Sequence, residues 1–119
     1  MSIQAVASIW YPVSDWERAK AFYGGTLGLQ LDFSDDESGW AAYSTERPGP
    51  PFFLVHKPEE AGGGGGGVIG FLVTNTHEFL DRLALAGVTI DDEVQDSDTV
   101  RIYTIYDPDG NPIELTEPK

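Results

Sequence analysis

The spacing of apolar residues changes repeatedly along the chain, and each change predicts an element. Residues 2–11 are apolar and β-prone enough for a strand. Ser14 and Glu17 then form an S-x-x-E capping box, which predicts a helix start. Trp16, Ala19, Phe22 and Tyr23 recur at helical spacing and make one apolar face. Gly24 and Gly25 are placed to end that helix through a left-handed residue. Residues 29–33, 40–44 and 52–56 read as three further strands. An acidic turn, Asp35-Asp36-Glu37, follows the first of them, and the R-P-G-P-P run at 47–51 forces a loop before the last.

The same order recurs in the second half. Residues 68–74 predict a strand, and Asn75 with Glu78 repeats the N-cap pattern. Phe79, Leu80 and Leu83 line a helix that ends at Gly87. A strand starting at 88–90 runs on towards Val94, and residues 99–106 and 112–116 form a final hairpin. V-S-D at 13–15 matches V-T-N at 73–75, an offset of 60; L-G-L at 27–29 matches A-G-V at 86–88, an offset of 59. Both offsets are close to half of the 119-residue chain, so one β-α-β-β-β unit is written twice. A single unit leaves a sheet face bare, whereas two can enclose a cleft. The fold class expected is α+β, a single domain over 1–119. Module one spans about 1–58, a Gly-rich linker 59–67 and module two about 68–119. The six consecutive glycines at 62–67 suit a flexible connection. A phosphate loop is disfavoured there, because no Gly-Lys-Ser/Thr follows and the next element is a strand.

Charge narrows the partners. Twenty acidic residues against seven basic ones give −13, which disfavours nucleic acid, since a polyanion binder needs a basic face. With no cysteine, disulfides, thiolate metal sites and a Cys nucleophile are excluded. No apolar run approaches the roughly 20 residues that span a bilayer. Residues 1–7 do not read as a signal peptide, so the cytoplasm is the expected location.

The most specific stretch is Y-D-P-D-G-N-P-I-E-L, residues 106–115. Asp107, Pro108, Asp109 and Gly110 supply a tight turn. Ile113 and Leu115 then alternate with Glu114, which sends that carboxylate to the opposite face. This stretch resembles the last hairpin of the glyoxalase/bleomycin-resistance/dioxygenase group, the vicinal oxygen chelate superfamily. V-S-D-W-E-R-A-K-A-F-Y-G-G-T-L-G-L, residues 13–29, resembles the first helix of the same group. The resemblance implies tandem β-α-β-β-β modules forming a curved mixed sheet around a cleft, paired in a homodimer.

It also implies where a divalent metal would be held: four ligands, two from each module. The first position falls on Ser8, the second within F-F-L-V at 52–55, the third on Val68 or Gly70 and the fourth on Glu114. One ligand of four survives, and a lone carboxylate does not hold a divalent ion against water. No cofactor is therefore expected, with a divalent metal as the alternative. His56 ends the fourth strand and His77 opens the second helix; both read as surface positions, although His56 with Glu114 is one conceivable acid–base pair.

Aromatic residues are expected where the metal would be. The implied cleft position of Ser8 brings Trp10 with it by strand parity; Trp40 or Tyr43, Phe52 or Phe53, and Tyr103 are further candidates. The expected ligand-binding set is Ser8, Trp10, Trp40, Phe52, Leu54, Val68, Gly70, Tyr103 and Glu114. An apolar cleft with few polar groups suits a flat or drug-sized compound, and Glu114 would favour a cationic or donor-bearing one. The leading expectation is a metal-free binding protein that sequesters an aromatic or amphipathic compound such as an antibiotic, as in the bleomycin-resistance branch. The alternatives are a metal-dependent lyase or dioxygenase with an altered site, and a metal-free enzyme using Glu114 as acid or base.

Overall fold

The computed structural model describes residues 1–62 and 67–119. Four glycines of the expected linker, 63–66, lie outside the described residues. The chain divides into two compact units, Met1–Glu60 and Ala61–Lys119.

The first unit runs β1 (Ile9–Val13), α1 (Trp16–Lys20), β2 (Gln30–Asp35), β3 (Trp40–Ser44) and β4 (Phe52–His56). Its sheet order is β1-β4-β3-β2, with β1 parallel to β4 and the other pairs antiparallel. β1 begins and ends later than the predicted 2–11, so Ser8 precedes the strand. The helix cap also shifts by one residue. Asp15, not Ser14, is the N-cap, and its carboxylate accepts from the Arg18 N–H at 3.2 Å. α1 continues as a π-helical turn over Ala21–Thr26, so Gly24 and Gly25 lie inside the helix instead of ending it. The wider turn closes with the Leu27 N–H donating to the Phe22 carbonyl, five residues back, at 2.8 Å.

Ala19, Phe22, Tyr23 and Leu27 bury the helical face. The alternate residues of the sheet, Tyr11, Val13, Ala41, Tyr43, Phe52 and Leu54, are buried too. The ring of Tyr23 lies 5.2 Å from Phe52 and 6.5 Å from Tyr43, and Tyr11 meets Phe52 edge-on at 5.6 Å. Period-two alternation therefore gives this sheet one face packed under the helix and one open face. Burial in this core raises the proton affinity of the Tyr43 phenol.

The second unit runs β5 (Ile69–Leu72), α2 (Thr76–Leu85), β6 (Thr89–Ile90), β7 (Gln95–Asp96), β8 (Val100–Tyr106) and β9 (Pro112–Pro118). Sheet order is β5-β9-β8-β6, with β5 parallel to β9; β7 also pairs with β8. The strand predicted from residue 88 towards Val94 is instead two short pieces, β6 and β7, around an exposed acidic segment, Asp91-Asp92-Glu93. Asn75 is the N-cap of α2, but it has a left-handed backbone and its side chain makes no capping bond. At the other end Gly87 takes φ 82°. The Val88 N–H reaches the Leu83 carbonyl and the Gly87 N–H reaches that of Ala84, both at 3.0 Å, which is a Schellman closure. Ile69, Tyr103, Ile105, Ile113 and Leu115 form the buried face, and Leu83 is the fully buried residue of α2.

Each unit is thus a β-α-β-β-β arrangement with a mixed sheet, as the repeat predicts. No helix of the described residues is long and apolar enough to cross a membrane.

Candidate functional site

The open face of the first sheet is built by parity. Trp10 pairs with Phe53 and Pro12 with Val55; across β3, Val55 pairs with Trp40 and Phe53 with Ala42. On β2 a register shift between Leu31 and Phe33 sets Phe33 against Ala42. Lys57, two residues beyond Val55, continues the same face. Trp10, Trp40, Phe53, Val55 and Lys57 line a shallow depression of about 330 Å³. An aromatic row runs from it across the same face: Phe53 to Trp40 at 5.7 Å between ring centres, then Trp40 to Phe33 at 4.7 Å. Trp10 is 45% exposed, Phe33 50% and Trp40 36%. Large rings left open side by side are costly to keep in water unless something covers them.

Lys57 supplies the charge at this rim. Its Nζ stands 5.5 Å from the centre of the Trp10 ring and 3.2 Å from the Glu60 carboxylate. The backbone fixes its root, since the Lys57 N–H donates to the Val13 carbonyl at 3.1 Å. Asp35 lies beside Trp40 in the register, but its carboxylate accepts from the Ser38 N–H at 3.1 Å and the Ser38 hydroxyl at 2.9 Å. Those bonds, the backbone one foremost, hold its pKa below the usual value.

The open face of the second sheet carries Gly70, Leu72, Ile102, Thr104, Glu114 and Thr116. Glu114 is half-buried between Gly70 and Thr104 in the register. A Cβ at Gly70 would lie 3.9 Å from the Glu114 Cβ and 3.9 Å from the Thr116 hydroxyl, ordinary contact distances. The turn that positions β9 is a hydrogen-bonded knot. One oxygen of the buried Asp107 carboxylate accepts from the N–H groups of Asp109 (2.9 Å) and Asn111 (2.8 Å). The other accepts from the Asn111 side-chain amide at 2.8 Å. The Asp107 N–H returns to the Asn111 carbonyl at 3.0 Å.

The residues expected to bind ligand separate into four groups. Trp10 and Trp40 meet on the first open face, while Gly70 and Glu114 meet on the second. Phe52, Leu54 and Tyr103 do not line an open face: all three are buried on the opposite side of their sheets. The physical reason is a parity the sequence could not resolve in an all-apolar run such as F-F-L-V. Phe53 and Val55 take the open positions instead, and Tyr43 joins the core. Ser8 and Val68 are exposed just ahead of their strands. Phe33 and Lys57 stand on this face outside the expected set; alternation from Phe53 through Val55 reaches Lys57.

His56 shares parity with Phe52 and Leu54, so it leaves on the helix side. There its Nε2–H donates to the Ser14 carbonyl at 3.0 Å and its ring lies 6.1 Å from that of Trp16. That placement takes it off the open face of its own sheet. His77 is exposed in the first turn of α2. Among the described residues, no three His, Cys, Asp or Glu side chains gather as a metal ion would require. The four positions that hold metal in the resembled group carry here a hydroxyl at Ser8, an apolar stretch at 52–55, Val68 or Gly70, and the carboxylate of Glu114. This donor set does not fit a divalent ion.

The two units, their parallel outer pairing and the open aromatic sheet define a class. The model of the Glyoxalase/Bleomycin resistance protein/Dioxygenase superfamily matches residues 3–115, and the chain belongs to that superfamily. Among solved structures it is similar to TnmS3, an antibiotic binding protein from Streptomyces sp. CB03234. The two are 28% identical with a TM-score of 0.80, over 100% of this chain and 99% of that one. It is also similar to a glyoxalase/bleomycin resistance protein from the same organism, at 27% identity and TM-score 0.71, over 91% of this chain and 96% of that one. A superfamily member from Sphaerobacter thermophilus is 25% identical with TM-score 0.77, over 97% and 98%. No curated protein matches the chain in sequence.

Proposed function

We propose that this protein is a metal-free, homodimeric small-molecule binder that sequesters a flat aromatic compound, an antibiotic or natural product among the candidates. The observation that carries the reading is the exposed aromatic row Trp10, Trp40, Phe53 and Phe33, lining and extending from a depression of about 330 Å³. Stacked or edge-on rings contribute about 0.5–1.5 kcal/mol per pair beyond the area they cover. A ligand engaging three of them reaches useful affinity without chemistry. The similarity to an antibiotic binding protein over the full chain supports the same reading. A metal-dependent lyase or dioxygenase would need donors that the four matched positions do not supply.

The test is titration of the purified protein with a panel of polycyclic aromatic antibiotics, followed by tryptophan fluorescence and by product analysis. Saturable quenching with unchanged ligand is expected. Absence of any binder tighter than about millimolar, or turnover of a bound compound, would sink the proposal.

A further inference from the structure

Resting on that reading, the geometry points to a more specific ligand: an aromatic compound that carries an acidic group at its edge, with Lys57 as the residue that selects it. Among the described residues, Lys57 is the charged group that lines the depression; the other lining residues are Trp10, Trp40, Phe53 and Val55. Its ammonium stands over the outermost ring, Trp10, at 5.5 Å. A flat molecule lying along the row would therefore present its rim to this ammonium. The nearby carboxylate on the same face, Asp35, is turned to Ser38 and does not line the depression. Glu60 holds Lys57 at 3.2 Å in a pair whose members are both about half exposed. Such a pair is weak and readily exchanged for a ligand carboxylate or phenolate. The short Pro58–Glu60 turn, closed by the Glu60 N–H on the Lys57 carbonyl at 3.0 Å, keeps the two side chains adjacent. Glu60 thus competes with an acidic ligand for the same ammonium.

Net charge works against such a ligand. A chain at −13 attracts cations at long range, and that alone would rank a cationic aromatic first. Local contact with Lys57 reverses the order, because charge-assisted hydrogen bonds act at short range and through less water.

Three probes of one shape decide it: 2-naphthoate, 2-naphthamide and 2-naphthylmethylammonium, each titrated by tryptophan fluorescence at 0.15 M salt. Wild type is expected to bind the naphthoate roughly three- to tenfold more tightly than the amide, and the ammonium most weakly. Lys57→Gln should abolish the preference for the anion, while Glu60→Gln, on the surface and outside the depression, should widen it. Equal binding of naphthoate and amide by wild type, or a preference for the ammonium, overturns the inference and leaves the aromatic-binding reading standing. Failure of all three probes to bind overturns both.

Discussion

Neighbouring residues in this chain have opposite fates, and Phe52 and Phe53 are the clearest pair. Phe52 is 4% exposed and packs against Tyr11 and Tyr23; Phe53 faces the depression beside Trp40. Phe52→Ala should cost about 3–5 kcal/mol of stability by opening a cavity. Phe53→Ala should leave the melting temperature nearly unchanged and weaken aromatic ligands by about two- to tenfold. Thermal melts and ligand titrations on both variants separate the two roles; equal destabilisation would refute the assigned parity. Asp36 gives a pH prediction. Its carboxylate accepts from Lys20 at 2.6 Å, Trp16 at 2.8 Å and Ser34 at 3.1 Å, which holds its pKa down at about 2, the lysine contributing most. A depressed pKa means that folding favours the charged form. The stability is present above the ordinary carboxylate value and is lost as pH falls towards 2. The gap in urea midpoint between wild type and Asp36→Asn should therefore be largest near neutrality and shrink below about pH 4. A gap that persists unchanged at pH 2 would rule the ionic role out.

Among the elements, two glycines at left-handed backbone positions make a graded comparison. Gly87 takes φ 82° with nothing near its missing side chain, so Gly87→Ala should cost only the backbone penalty, about 1–2 kcal/mol. Gly39 takes φ 76° where the chain turns from β2 into β3. A Cβ there would lie 2.8 Å from the Cβ of His56, an atom held by the backbone of β4. Gly39→Ala should be the more destabilising of the two by denaturant unfolding, and the reverse order would contradict the close approach of that turn to β4. Strand and helix positions were largely legible, because period-two and helical spacing act locally. β3 and β4 fall where alternation placed them, and α2 stops at its expected glycine. Caps and ends were less legible. Asp15 and Ser14 are both good N-cap residues, and only the path of the chain selects between them. The π-helical turn that absorbs Gly24 and Gly25 leaves no local signature in composition.

At the scale of the whole molecule, the proposed homodimer predicts sedimentation equilibrium at twice the 13.0 kDa chain mass; a monomer throughout the micromolar range would remove that part of the proposal. The twofold β-α-β-β-β repeat, the acidic balance and the superfamily are legible in the sequence. These rest on spacing, counts and short motifs, all of which are written along the chain. Which aromatics are open depends on strand pairing. In F-F-L-V every residue is apolar, so alternation has no polar member to mark the outer face, and the choice between Phe52 and Phe53 falls to pairing with β1 and β3. The ammonium of Lys57 came into view for the same reason. Strand pairing carries it to the rim beside Trp10, a residue far from it in sequence and 5.5 Å away in space.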